Sequence, residues 1–298
     1  MTRGVVTGCN LKFAAGAAGL LRSIRRFHPE AVRYCLTPAA EVAEVQAHLG
    51  DLATVLAPPR PIRGVPDQWL LQLLAARTLL PAFAEGVIAW VDCDVVFCGP
   101  ADALFEVPEG SVNVVQDAVY NLGNMVPADV WEQYARQFHC QKTDRGFNAG
   151  IYALRRSDWL DLPERYEKAV EDGHYSYYPP GFDQALLNGL FRGRTNWLPA
   201  TYNWHAVFER GVPRGTRIVH YTDNPKPWQP GYGAHRPGYC EWMRYGEEAS
   251  ALQSFMYKAY NHLSAPRRFG YKAIRKVLTK VGFWRHEVGV STPAKANP

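Results

Sequence analysis

No stretch of this sequence approaches the roughly 18 consecutive apolar residues of a membrane span, and Met1 to Thr7 carry no apolar segment of signal-peptide length. A cytoplasmic protein, soluble or peripheral on the cytoplasmic membrane face, is the expectation. Paired cysteines are also missing. The six stand at positions 9, 35, 93, 98, 140 and 240 without Cys-x-x-Cys spacing, and a chain of 298 residues needs no disulfide staples, so they read as reduced thiols. There is no internal repeat and no low-complexity tract, and with 47% apolar and 20% charged residues the chain is neither disordered nor collagen-like. A surplus of one charge is absent from most of the chain as well. The formal +5 divides into 25 basic against 27 acidic residues over 1–261, and eight basic against one acidic over 262–298. Nucleic-acid binding is therefore not expected, because the basic residues are confined to one terminal segment beside a hydrophobic face.

What is present alternates. Gly4 to Gly8 is a β-branched run that leads through Cys9-Asn10-Leu11-Lys12-Phe13 into an Ala/Gly/Leu-rich helix ending near Arg26. Strands are predicted over 31–36 and 53–57, separated by a helical spacing of Val42, Val45 and Leu49. A proline-rich loop, 58–66, precedes a helix from Gln68 to about Leu80 with Asp67 as its N-cap. Gly86 to Val91 is almost unbroken apolar sequence, as expected for a strand buried on both faces of a parallel sheet. Later strands are predicted over 111–116, ending at Asp117, over 151–154, and over 217–219, ending at His220. The pattern predicts an α/β fold with a mostly parallel, doubly wound central sheet, and ligand-binding residues at its strand ends.

Asp92 and Asp94 follow the apolar strand directly. Placed on one side of a strand about 6 Å apart, at an effective dielectric near 20, they would repel by about 3 kcal/mol, which calls for a hard divalent cation shared with a phosphate-bearing substrate. His220 suits manganese or a similar transition ion better than magnesium or calcium, and Lys226, between Pro225 and Pro227, suits a phosphate oxygen. Asp183 and Gln184 open a helix, with Asp183 read as an acidic cap. Asn148-Ala149-Gly150 reads as a turn into a strand, and Arg77 lies on the helix before the Asp-x-Asp strand. Each feature alone has an ordinary structural explanation.

Their order is more specific. Val91-Asp92-Cys93-Asp94-Val95-Val96, Phe147-Asn148-Ala149-Gly150, Asp183-Gln184-Ala185-Leu186-Leu187-Asn188 and His220-Tyr221-(four residues)-Lys226-Pro227-Trp228 together resemble the glycogenin and lipooligosaccharide galactosyltransferase family of retaining glycosyltransferases, family 8-like, over about residues 4–228. The resemblance implies the GT-A nucleotide-diphospho-sugar transferase fold over 1–261 and a UDP-sugar donor. It implies a metal held by Asp92, Asp94 and His220, with Asp92 also near the ribose. Lys226 would neutralise the departing phosphate. Arg77, Asn148, Asp183 and Gln184 would surround the donor sugar, with the Gln184 amide under its anomeric carbon. Where the family usually has Asp and Tyr for the uracil, this chain has Asn10 and Phe13. An amide oxygen still accepts the uracil N–H, and a phenyl ring still stacks. Asp223 stands where the family often has Gly, close to the diphosphate.

Beyond Pro266, basic residues interleave with Ile274, Val277, Leu278, Val281 and Trp284, which share one helical face. An amphipathic tail over 262–298 that meets an anionic membrane surface through 266–285 is expected, alongside a saccharide or lipid-linked acceptor. Two other readings stay open at this point. A haloacid-dehalogenase-type phosphatase shares the Asp-x-Asp after an apolar strand, but here three strands precede it and no later Gly-Asp-x-x-x-Asp appears. An inactive sugar-nucleotide or membrane-surface binding protein is the second.

Overall fold

A computed structural model of the chain describes residues 2–79, 86–175, 181–206, 212–229, 232 and 238–246. The tail expected over 262–298 lies outside the described residues. In chain order the elements are β1 (Arg3–Gly8), α1 (Ala14–Phe27), β2 (Val32–Leu36), α2 (Val42–Leu49), β3 (Thr54–Leu56), α3 (Trp69–Ala76), β4 (Val87–Val91), β5 (Val95–Phe97) and β6 (Val112–Asn121). There follow α4 (Leu122–Met125), α5 (Trp131–Phe138), β7 (Arg145–Arg155), α6 (Arg156–Trp159), α7 (Leu162–Gly173), α8 (Phe182–Leu190), β8 (Thr195–Leu198), β9 (Trp204–His205), β10 (Ile218–His220) and α9 (Tyr239–Met243).

Seven strands form the central sheet in the order β3-β2-β1-β4-β7-β6-β8. All run parallel except β7, which pairs antiparallel with both β4 and β6. The α/β class and the mostly parallel sheet agree with the sequence pattern. All five residues of β4 are buried, as its continuous apolar run requires for a strand covered on both faces. One core packs α3, α5, α7 and α8 on one face of the sheet around Trp90, Tyr152 and Trp159. Others pack α1 on the opposite face. A second sheet, β5-β10-β9, carries an aromatic cluster with α9.

The structure corrects several local expectations. β7 runs unbroken through Asn148, Ala149 and Gly150, so these residues lie within a strand and are not a turn before one. Register shifts between β6 and β7 bend the pair at this level, and β6 continues past Asp117 to Asn121. The helix after the proline-rich loop spans Trp69–Ala76, and its N-cap is Gln68, not Asp67, with no side-chain cap bond. The entry is organised by Gln72, whose side chain accepts from Ile62 N and donates to the Ile62 and Val65 carbonyls.

Candidate functional site

β4 ends at Val91, and Asp92, Cys93 and Asp94 form a turn into β5 instead of continuing a strand. Strand alternation therefore does not set the two carboxylates side by side, as the sequence pattern had suggested; the turn and their partners do. Asp92 Oδ1 accepts from Trp90 Nε1 at 2.7 Å and lies 3.6 Å from Arg77 Nη2. Asp94 Oδ1 is 3.2 Å from His220 Nε2, and its Oδ2 accepts from Lys226 Nζ at 2.7 Å. Burial alone would raise the Asp94 carboxyl, but His220 and Lys226 hold it well below the usual carboxylate range. β10 places His220 next to β5 by antiparallel pairing of His220 with Val95, one residue from Asp94. Asp92, Asp94 and His220 bring one ligand atom each to within 4.8 Å of one another, the one such group among the described residues.

Gly150 belongs to this cluster for a steric reason. A Cβ there would stand 2.4 Å from His220 Cε1 and 2.8 Å from Asp92 Oδ2, so the bulged strand approaches the ligand atoms only as glycine. Lys226 is buried, and its ammonium also donates to the Tyr221 carbonyl at 2.6 Å. Trp228, two residues on, packs edge to face on Phe13, with ring centroids 6.0 Å apart, and fills the notch left by Gly16 on α1. Asp223 is exposed, and its Oδ1 accepts from Asn224 N at 2.9 Å.

On the other side of the turn lies a hydrogen-bonded network. His220 Nδ1 meets Asn203 Oδ1 at 3.0 Å, and Asn203 Nδ2 donates to Asn148 Oδ1 at 3.2 Å. Asn148 Nδ2 donates to Asp117 Oδ2 at 3.1 Å. Gln184 Oε1 accepts from Ala149 N at 3.0 Å. Below it, Arg77 donates to the Ala149 carbonyl at 2.8 Å and faces Asp183 at 3.3 Å, both side chains buried. Burial opposes the Arg77 charge, yet Asp183 and Asp92 keep its pKa raised. Asp183 makes no cap hydrogen bond: Gly181, at φ 86°, is the N-cap, and Asp183 instead faces the guanidinium.

Asn10 and Phe13 stand apart from the network, in a cleft of about 340 Å³ between β1, α3 and the Asp92–Asp94 turn. Trp69, Leu73 and Trp90 are among its apolar walls. Asn10 Oδ1 is buried and has no hydrogen-bond partner among the described residues. The structure thus brings Arg77, Asp92, Asp94, Asn148, Asp183, Gln184, His220 and Lys226 together, with Asn10 and Phe13 in the adjoining cleft. Sequence reasoning missed Asp117, Gly150, Asn203 and His205 as members. His205 pairs with His220 across β9 and β10, ring centroids 5.5 Å apart; burial and the neighbouring His220 lower its pKa to about 4. The recurrence of Asp, amide and His residues at strand ends was the available signal for Asp117 and His205.

Comparison with known proteins follows the same lines. A lipopolysaccharide 1,2-glucosyltransferase of Escherichia coli K12 is 30% identical over 99 residues, a match that spans 28% of each chain. The structure resembles the WbbM bifunctional glycosyltransferase, with TM-score 0.59 and 15% identity, over 86% of this chain and 51% of that one. It also resembles the galactosyltransferase LgtC solved with donor and acceptor sugar analogs, with TM-score 0.55 and 17% identity, over 89% and 99% of the two chains. At these identities the two structures show a shared GT-A fold. The family model for glycosyl transferase family 8 matches residues 71–230, more than half of the sequence and the segment that holds Arg77, the Asp-x-Asp turn, the network and Lys226. The chain belongs to glycosyl transferase family 8.

Proposed function

We propose that this chain transfers a hexose from a UDP-sugar to a saccharide or lipid-linked acceptor, with retention of anomeric configuration and with a divalent cation, manganese first among the candidates. The observation that carries the reading is the convergence of Asp92, Asp94 and His220 within 4.8 Å beside a cleft that holds Asn10 and Phe13. Two carboxylates and an imidazole make a mixed oxygen and nitrogen donor set suited to such an ion, and Gly150 leaves the space against them clear. When bound, the cation supplies positive charge against the donor diphosphate.

The residues of the chain divide the remaining work. The unpaired Asn10 Oδ1 accepts the uracil N–H, and Phe13, braced by Trp228, stacks on the base. Lys226 is held between Asp94 and the Tyr221 carbonyl, from where its ammonium faces charge that develops on the leaving diphosphate. Arg77, Asn148 and Asp183 fix the floor under the donor sugar. Gln184 is oriented by Ala149 N and Asn148 Nδ2, which donate to its Oε1, so that the amide is positioned before substrate arrives. Similarity to a lipopolysaccharide glucosyltransferase supports a lipid-linked or saccharide acceptor. A domain over 1–261 with a tail over 262–298 that meets anionic membrane through 266–285, on the cytoplasmic side, completes the proposal.

Release of UDP from a panel of UDP-hexoses, with manganese and with chelator, tests the reading. Metal-dependent release from at least one donor is expected. No release from any donor would overturn it. Liposome pelleting that is equal for the full chain and for a chain ending at 260 would reject the membrane role of the tail.

A further inference from the structure

A second pocket lies away from the Asp-x-Asp turn, at the β8 edge of the central sheet. Its volume of about 330 Å³ is at the lower end of the roughly 300–1,000 Å³ of small-molecule sites. Asp144, Arg145, Asn188, Arg192, Thr195 and Trp197 are among its lining residues. Asn188 forms a rigid wall: its side chain accepts from Phe147 N at 2.7 Å and donates to the Phe147 and Gln184 carbonyls at 2.9 and 2.8 Å. Arg192 Nη1 is paired with Asp144 Oδ2 at 2.5 Å, an oxygen that also accepts from Gln141 N at 2.9 Å. Arg145 is exposed. Its guanidinium lies 5.9 Å from the centroid of the Trp197 ring and has no carboxylate within ion-pair distance among the described residues.

Three features of this pocket select a ligand class. An indole face beside carboxylate and guanidinium groups, on a wall held rigid by Asn188, offers a pyranose ring both an apolar platform and directed hydrogen bonds. Two arginines against one aspartate leave a positive charge, and a guanidinium pairs in a fork with phosphate or carboxylate. The placement relates the pocket to the transfer site, since Asn188 is one helical turn beyond Gln184 on α8 and Arg145 three residues before Asn148 on β7. We propose that this pocket binds a sugar residue that carries a phosphate or carboxylate group and serves as a second subsite for the acceptor glycan. Its service to the acceptor rests on the proposed glycosyl transfer; occupancy by an anionic sugar does not.

Titration of the full chain without donor tests this, with glucose 6-phosphate, glucuronate, glucose and inorganic phosphate as probes. At least one anionic sugar is expected to bind about tenfold or more tighter than glucose and than inorganic phosphate, and the preference between the two reports which anion is read. Arg145→Ala, at an exposed position, is expected to abolish that preference, and Trp197→Leu to weaken every sugar while Trp197→Phe keeps binding. Both Arg145→Ala and Trp197→Phe should retain the wild-type thermal response to UDP and manganese, which reads the donor site separately. Absence of binding by both anionic sugars overturns the proposal. So does inorganic phosphate binding as tightly as the sugar phosphate, glucose binding as tightly as the anionic sugars, or a preference unchanged in Arg145→Ala.

Discussion

On one flank of the Asp92–Asp94 turn, β1, α3 and β4 enclose a cleft with mostly apolar walls, in which Asn10 keeps a buried carbonyl oxygen unpaired among the described residues. On the opposite flank, Asp117, Asn148, Gln184, Asn203 and His220 bond to one another around the bend of β6 and β7. The first flank leaves a polar group for a ligand to satisfy. The second bonds these five side chains to one another and fixes their orientation beforehand, while the buried Asp183 beside them is held by the charge of Arg77 and by no hydrogen bond among the described residues. Loss of a side chain should therefore weaken ligand binding on one flank, and both folding and turnover on the other.

The largest effect is expected where the flanks meet. Asp94→Asn leaves the buried Lys226 ammonium without its carboxylate, with an expected loss of about 3 kcal/mol of stability in thermal or urea unfolding. The same variant should lower kcat for UDP release by roughly 100- to 1,000-fold. Without metal, the depressed Asp94 pKa also predicts an acid-sensitive limb. The stabilisation from this carboxylate is fully present above the ordinary carboxylate range and is lost as pH falls through that range toward the folded value, so unfolding of Asp94→Asn should depend less on pH there.

Gly150→Ala comes next. The added methyl overlaps His220 and Asp92, and overpacking of this kind costs about 1–3 kcal/mol, measured by unfolding, together with loss of the metal response. Asn148→Ala removes the link between Asp117 and Asn203 and should cost about 1–3 kcal/mol in unfolding, along with turnover. The smallest effect contrasts with these. Asn10→Ala should leave unfolding within about 0.5 kcal/mol, because its Oδ1 has no partner among the described residues to lose, yet weaken UDP by about three- to tenfold in a binding titration. Destabilisation by Asn10→Ala equal to that of Asn148→Ala would erase the distinction between the flanks.

The same contrast explains what the sequence discloses. β1, α1, β2, α2, β3 and β4 are local runs with clear period and punctuation, so their places follow from residues 4–91 directly. The bend of β7 is not local. Asn148-Ala149-Gly150 resembles a turn because Asn and Gly usually signal one, whereas here they stand in a strand whose irregularity is set by β6, and Gly150 is demanded by side chains of Asp92 and His220 far along the chain. Asp94 and Lys226 are 132 residues apart, and their contact depends on β5 pairing with β10, which no spacing announces. The motif order pointed to Asp92, Asp94, His220 and Lys226 as a set. It did not show that Lys226 is buried against Asp94, or that Asn203 bridges His220 to Asn148.

The measurement closest to the central claim is the melting temperature of the full chain with UDP, with manganese, and with both, in wild type and in His220→Ala. A ligand at 100 times its dissociation constant adds about 2.7 kcal/mol to the folded state, so a clear rise is predicted for the wild type with both, well above either alone. In His220→Ala the metal-dependent part should vanish while the part due to UDP alone persists. A wild type indifferent to UDP and manganese together, or a His220→Ala variant with an undiminished metal-dependent rise, would contradict the account.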